Sequence, residues 1–279
     1  MNRIVKVDRD RFGPWAIVTG ASAGIGREFA RQLAASGLNL VLVARRLEAL
    51  ERIGHDLAGE YGVEYRAVGL DLSHEGFIDR LDRSTADLDI GLVVSNAGAI
   101  QIAELLDHDR EHLHRMVRLN AVAHLDLAHH FGRRLSDRRR GGLLLVSSVG
   151  GRQGMPGSAE YGASKAFTLV LGEGLHVELA RLGVNVTVLL PGATATEMVQ
   201  AYGMDVETMN RMMRPLRMMP VERVVAEGLE AVGANRPTHI AGRTNRVLAS
   251  VFPRRFFTGM TASMSARVRA RLAGIEGTS

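Results

Sequence analysis

A doubly wound parallel sheet with helices on both faces, an α/β fold in one domain, is what this 279-residue chain predicts. Short runs rich in Val, Ile and Leu alternate with longer stretches of helical period, the βαβ order that builds parallel sheets. The short runs are apolar almost throughout, as strands covered on both faces must be. The first of them leads straight into a glycine-rich turn that opens a helix. A sheet of this kind holds its ligands outside the carboxyl ends of the strands.

Taken in order, "WAIVTG" (15–20), "NLVLVA" (39–44), "EYRAVGLD" (64–71), "GLVVSN" (91–96), "GLLLVSS" (142–148) and "VNVTVLLPG" (184–192) read as strands. Residues 25–36, 46–60, 74–86, 107–136, 159–182 and 221–234 read as helices. No repeat or low-complexity segment interrupts them. Residues 1–279 therefore form a single domain, with a core from about 13 to 243 and a basic, amphipathic extension over 244–279.

Apolar residues make up 46% of the chain, enough for a sizeable core. No apolar run is long enough to span a membrane. The first residues, "MNRIVKVDRDRFGPW", are charged and lack an apolar signal segment, so a cytoplasmic protein is expected. The absence of cysteine excludes disulfides, thiolate metal sites and cysteine catalysis. The net charge of +5 resides in one place: residues 231–275 hold eight arginines and no acid, and the remainder has 27 basic against 30 acidic residues. With the basic character confined to one segment, a nucleic-acid partner is not expected.

"TGASAGIGREFA" closes the first strand with Gly20, Gly24 and Gly26, with Ser22 and Ile25 between them, and enters a helix at once. Glycines let the backbone turn tightly against a pyrophosphate, and free N–H groups at the helix start receive the anion. The spacing is G-x-x-x-G-x-G, not G-x-G-x-x-G, so a plain strand-to-helix turn is the competing reading. A dinucleotide fold places an acid at the end of the second strand, about 20 residues on, to bind the ribose hydroxyls. This chain has Ala44, Arg45 and Arg46 there. Two cations at a helix start oppose its dipole; a 2′-phosphate would offset that, and the guanidinium fork suits it. NADP(H) is expected ahead of NAD(H), a solvated arginine pair being the bland alternative.

"TGASAGIG", "SNAG" (95–98), Asn120, "SS" (147–148), "YGASK" (161–165) and "PGATAT" (191–196) follow one another at separations that resemble the short-chain dehydrogenase/reductase family over residues 13 to 243. "SNAG" stands for the commoner "NNAG" and "ASAG" for "ASSG", and neither change removes a side chain the chemistry needs. The resemblance implies a Rossmann-type NAD(P)-dependent oxidoreductase that moves hydride between nicotinamide and a carbonyl or alcohol carbon. It implies that Ser148 orients the substrate oxygen, that Tyr161 passes the proton, and that Asn120 holds a water linking Lys165 to solvent. Asn96, Ala97 and Gly98 would then line the cofactor, Asp71 and Leu72 would flank the adenine, and Pro191, Gly192, Thr194 and Thr196 would close over the nicotinamide. Ser147 is the neighbour that a one-residue register error would exchange for Ser148.

Elementary electrostatics agrees with those roles. Tyr161 and Lys165 lie four apart and share one helix face. Lowering a phenol from pKa 10 to about 7 needs roughly 4 kcal/mol, and one cation about 4 Å away at an effective dielectric near 20 supplies roughly that amount. Lys165 is one of only two lysines among 35 basic residues. A compact ammonium can serve two ribose hydroxyls beside a phenol where a rigid guanidinium cannot.

Seven of the twelve methionines fall between 198 and 219. Met198, Met204, Met209, Met212 and Met213 are expected to form a flexible substrate lid, suited to a lipophilic ligand such as an oxo-acyl chain or a ketosteroid. The tail "VLASVFPRRFFTGMTASMSARVRARL" (247–272) reads as packing on a partner subunit or lying on an anionic membrane surface. His108, His112, His114, His124, His129 and His130 are expected to be solvated helix residues and no metal site. By the resemblance, a homodimer or homotetramer is expected. A non-catalytic NADP-binding regulator on the same fold is the alternative function.

Overall fold

The computed structural model describes residues 5–197, 205–212 and 217–276, without the side chains of Met212 and residues 271–276. Seven strands form the central sheet: β1 (Trp15–Thr19), β2 (Asn39–Ala44), β3 (Tyr65–Gly69), β4 (Ile90–Ser95), β5 (Gly142–Val146), β6 (Asn185–Leu190) and, after a small parallel pair of β7 (Thr194–Ala195) with β8 (Met219–Pro220), β9 (Thr238–Ile240). Their order is β3-β2-β1-β4-β5-β6-β9, and every pairing in this sheet is parallel. The order reverses between β1 and β4, which opens a crevice at their carboxyl ends.

The helices are α1 (Arg9–Phe12), α2 (Gly24–Ala35), α3 (Leu47–Tyr61), α4 (Phe77–Arg83), α5 (Arg110–Val117), α6 (Ala123–Arg138), α7 (Ala159–Ala180), α8 (Val206–Met212), α9 (Val221–Gly233), α10 (Arg243–Val251) and α11 (Arg254–Glu276). Both faces of the sheet are covered, so side chains alternate between two cores. Ala16 and Val18 of β1 join Phe29, Leu33 and Val225 on the α2–α9 side, while Ile17 joins Leu127, Phe131 and Leu135 on the α6 side. Each such fully buried side chain contributes about 1.5–3 kcal/mol of transfer free energy. Val, Ile and Leu on both sides of the inner strands make their apolar runs continuous.

Strand ends fall short of the predicted ones where the chain leaves the ladder to build loops. β5 stops at Val146, before Ser147 and Ser148, and β6 stops at Leu190. The helix expected over 107–136 is broken in two places. A 3₁₀ turn, Leu105–Asp107, precedes a start at Asp109, whose side chain accepts from His112 N at 2.6 Å, and a π turn over Arg118–Val122 separates α5 from α6. π turns often coincide with functional positions, and Asn120 lies within this one. The edge strand β9 was not among the expected elements.

The extension packs on its own chain. Thr261, Ser265 and Val268 of α11 are buried, and the edge of the sheet below it is clamped by one carboxylate. Glu227 Oε2 accepts from Gly242 N and Arg246 Nη1, each at 2.9 Å, and lies 2.9 Å from His239 Nε2; Arg223 Nε donates to Oε1 at 3.2 Å. Burial pushes the Glu227 carboxyl up, but the bonds from Gly242, His239, Arg246 and Arg223 outweigh it and hold the group at about 2. That lies below its unfolded value of 4.5, so the stabilisation is present in full above pH 4.5 and is lost as pH falls toward 2. Glu227→Gln is expected to cost about 2 kcal/mol at pH 7, allowing for partial solvent screening. In urea unfolding the gap to the unmodified protein should narrow at pH 3; an equal gap at both values would refute the clamp.

Candidate active site

A cavity of about 960 Å³ lies across the carboxyl ends of the strands, with Gly20, Ser22, Gly24, Ile25 and Gly26 at one end. Gly20 and Gly24 have φ of +68° and +53°, which only glycine adopts freely. A Cβ on Gly26 would lie 2.2 Å from the Gly20 carbonyl oxygen, so the turn closes tightly. Ala23, at the N-cap of α2, makes no side-chain cap. The first N–H instead meets an acid: Gly24 N donates to Glu197 Oε2 at 3.0 Å, and Arg27 Nη2 donates to Glu197 Oε1 at 2.6 Å. An anion already sits where a helix start favours one, and these residues fit a dinucleotide phosphate.

The rest of the predicted nucleotide wall is assembled in the same cavity. Arg45 and Arg46 are exposed at the end of β2, and neither guanidinium has a hydrogen-bond partner among the described residues. Burial pushes the Asp71 carboxyl up, but bonds from the Ser73 hydroxyl and N–H, with His74 and Arg45 nearby, hold it below the usual range; Leu72 is buried beside it. Asn96 Nδ2 donates to the Thr19 carbonyl at 2.9 Å, and Ala97 N to Thr19 Oγ1 at 3.0 Å, which ties β4 to β1 at the switch point. Pro191 accepts from Val149 N at 3.0 Å, Gly192 abuts Asn245, Thr194 Oγ1 donates to the Gly192 carbonyl at 3.0 Å, and Thr196 Cγ2 lies 3.2 Å from where a Gly24 Cβ would stand.

Ser148, Tyr161 and Lys165 line the middle of the cavity. The Ser148 hydroxyl is near enough to Tyr161 to pull its phenol down, and Ser148 Oγ accepts from Gly150 N at 3.0 Å. Ser147 turns the other way: its hydroxyl donates to the Lys165 carbonyl at 2.6 Å and holds α7 against β5. Lys165 is 2% exposed and its Nζ donates to the Val146 carbonyl at 2.8 Å. Burial lowers it to about 8.

Lys165 Nζ lies 6.0 Å from the Tyr161 ring centre. Burial pushes the phenol up and the Ser148 hydroxyl pulls it down; the balance holds it above its ordinary value, so it carries its proton at neutral pH.

Asn120 is fully buried behind the cavity wall, and its amide closes a reciprocal pair with Ala99: Ala99 N donates to Oδ1 at 2.9 Å and Nδ2 donates to the Ala99 carbonyl at 2.8 Å. Its own carbonyl accepts from Thr168 Oγ1 at 3.2 Å. Asn120 thus ties α7 to the loop after β4. A Cβ on Gly98 would lie 2.9 Å from Asn120 Oδ1 and 3.2 Å from Lys165 Nζ, so that loop passes close over both.

His124, expected to be solvated, is 1% exposed. Its Nδ1 lies 2.6 Å from Ser95 Oγ, and burial, with Lys165 nearby, drives the imidazole well below its ordinary value, so it is neutral. His108 and His112 stack at 4.8 Å. Among the described residues no cluster of three or more His, Cys, Asp or Glu could hold a metal.

Of the expected lid, Met209 lines the cavity and is buried. Met198, Met204 and Met213 lie outside the described residues, and Met212 is described in backbone only. The wall that sequence reading missed is the tail: Phe252, Phe257, Met260, Met264 and Val268 face the substrate end of the cavity. Positions 257, 260, 264 and 268 recur at helical spacing, a signal present in the sequence.

The short chain dehydrogenase family model matches residues 14–207, which carry the glycine-rich turn, Ser148, Tyr161 and Lys165. The chain belongs to that family. It is an oxidoreductase of the nicotinamide-dependent kind that acts on alcohol and carbonyl groups. Over 239 residues it is 33% identical to a 7beta-hydroxysteroid dehydrogenase of Clostridium sardiniense, covering 85% of this chain and 89% of that protein. A solved structure concerned with 7beta-hydroxysteroid dehydrogenase stereoselectivity superposes with TM-score 0.83 at 28% identity, over 91% of this chain and 99% of the other. A short-chain dehydrogenase from Sphingobium yanoikuyae in complex with NADPH gives 0.75 at 30% identity, over 86% and 97%.

In this short chain dehydrogenase the buried ammonium makes a pH prediction. The folded value of Lys165, about 8, lies below the unfolded 10.5, so the cost of burying the charge is present below pH 8 and is relieved as pH rises toward 10.5. Measured against Lys165→Met by urea unfolding, the unmodified protein should gain about 2–3 kcal/mol between pH 7 and pH 10. A pH-independent difference would mean that the ammonium is solvated.

Proposed function

We propose that this protein reduces a lipophilic ketone, or oxidises the matching alcohol, with NADP(H), Tyr161 being the acid–base group. The reading rests above all on Ser148, Tyr161 and Lys165 lining one cavity, between its glycine-walled end and its apolar end. A bound nicotinamide would supply or accept the hydride. Ser148 would hold the substrate oxygen beside the phenol. Because burial keeps the Tyr161 proton in place, Tyr161 is set to deliver it to a forming alkoxide, which favours the reductive direction. Lys165 would hold ribose hydroxyls and draw close to the phenol as it ionises. Tyr161→Phe is expected to lower kcat for NADPH-dependent ketone reduction by about 10²–10⁴ while NADPH still binds, followed by fluorescence titration. Undiminished turnover would overturn the assignment.

The preference for NADP(H) is supported by Arg45 and Arg46, two exposed cations at the end of β2 whose guanidinium groups have no hydrogen-bond partner among the described residues. Removing either is expected to lower the NADPH-over-NADH affinity ratio about ten-fold or more, as loss of a charge-assisted bond does. An unchanged ratio would favour the solvated pair. A lipophilic substrate is supported by the methionine and phenylalanine wall and by the hydroxysteroid dehydrogenases among its relatives.

A homo-oligomer is supported by an apolar stripe left exposed along α7, where Phe167, Val170 and Val177 are 42%, 66% and 72% accessible, with Val117, Val122 and Leu125 exposed along the α5–α6 run. Val170→Asp should shift the mass measured by light scattering toward the monomer; an unchanged mass would put the interface elsewhere. Membrane contact by the tail would have to use the outer face of α10 and α11, where Val247, Val251 and Phe256 are exposed. No helix among the described residues is long and apolar enough to cross a membrane.

A further inference from the structure

The substrate end of the cavity is apolar, yet its charges have one sign. Two acids line the cavity, Asp71 and Glu197, and both belong to the nucleotide end, where Ser73 holds the first and Gly24 with Arg27 holds the second. At the other end stand Arg152, Arg254 and Arg267, none with an acidic partner among the described residues. Arg152 is half-buried in the turn Val149–Arg152 that follows Ser148. Arg254 opens α11, and the helix is laid against that same loop: a Cβ on Gly154 would lie 3.7 Å from Thr258 Cγ2, and Thr258 Oγ1 donates to the Arg254 carbonyl at 3.2 Å. Two cations from distant parts of the sequence therefore border one region of an apolar cleft with no carboxylate to neutralise them. Where an ion pair was to be built, the chain built it: Arg115 has Glu111, and Arg269 has Glu104.

We infer that Arg152 and Arg254 form an anion-recognition subsite, and that the substrate is an amphipathic molecule with a ketone or alcohol on an apolar body and an oxyacid group at its far end. The inference rests on the oxidoreductase reading for the reacting end and goes beyond it in naming what the opposite end must carry. An apolar, low-dielectric wall strengthens the attraction of a guanidinium for a carboxylate or phosphate, and its planar fork accepts either in two parallel bonds. The competing reading is two arginines whose stems cover apolar wall while their heads stay in water. That reading predicts indifference to the charge of the ligand.

The test uses matched pairs with full-length protein. A keto-steroid carboxylic acid and its methyl ester are compared as substrates by NADPH oxidation. A 3-oxoacyl-coenzyme A and its uncharged pantetheine-type thioester form a second pair, which separates a carboxylate source from a phosphate source. The unmodified protein should prefer the acid, or the coenzyme A thioester, in kcat/KM. Arg152→Ala and Arg254→Ala should each reduce that preference about ten- to hundred-fold, acting on KM rather than kcat. Arg254→Lys should keep part of it, and thermal unfolding checks that each variant is folded. Calorimetric binding of a steroid carboxylic acid lacking any ketone, against its ester, reads the subsite without chemistry. If no ketone is turned over but the acid still binds more tightly than the ester in an Arg152-dependent way, the proposed reaction falls and the subsite stands. Equal handling of acid and ester by the unmodified protein, or equal loss for both in the variants, overturns the subsite.

Discussion

A single buried ammonium organises the centre of this molecule. Lys165 makes no ion pair with an acid among the described residues, and its Nζ is anchored on the carbonyl that ends β5. An unpaired charge in such a place is tolerated only where the surroundings are built around it. The Ser147 hydroxyl grips the backbone of the same residue, Gly98 leaves room above it, and His124 stays neutral near it. Helix α7 is thereby held to the carboxyl end of the sheet at the point where the phenol of Tyr161 enters the cavity. The arrangement is costly for folding and makes sense as a site poised to receive partners for that ammonium.

The architecture was legible because two periodicities agree. Runs such as "NLVLVA" (39–44) are apolar on both sides and therefore central, and the helices between them have one buried face, so a parallel sheet covered on both sides could be read. The glycine-rich end of the cavity was legible because it is local: glycines, a helix start and strand ends adjacent in sequence are adjacent in space. Ser148 could be separated from Ser147 only once the end of β5 was known, since one residue of register reverses which hydroxyl faces the cavity.

What the sequence could not convey was distance between elements. The separation of Lys165 from the Tyr161 ring depends on where the ammonium is drawn, and the Val146 carbonyl that draws it is 19 residues away. Asn120 was visible as an odd helix residue, but its pairing with Ala99 needed the loop after β4 to be placed. His124 looked like any polar residue of an exposed helix until Ser95 was set against it. The basic tail was read outward, toward another subunit or a bilayer, because charge in a terminal segment suggests solvent. Its apolar stripe at 257, 260, 264 and 268 instead found a partner at home.

That inward return of the tail separates two kinds of information along the chain. The family match ends at residue 207, and the glycine-rich turn, Ser148, Tyr161 and Lys165 precede it. Much of the surface that shapes the far chamber comes after it, on α10 and α11. The proposed chemistry and the proposed choice of ligand thus lie in successive stretches of one polypeptide, and on that proposal drift in the terminal helices would retune what is admitted while Ser148, Tyr161 and Lys165 stay as they are.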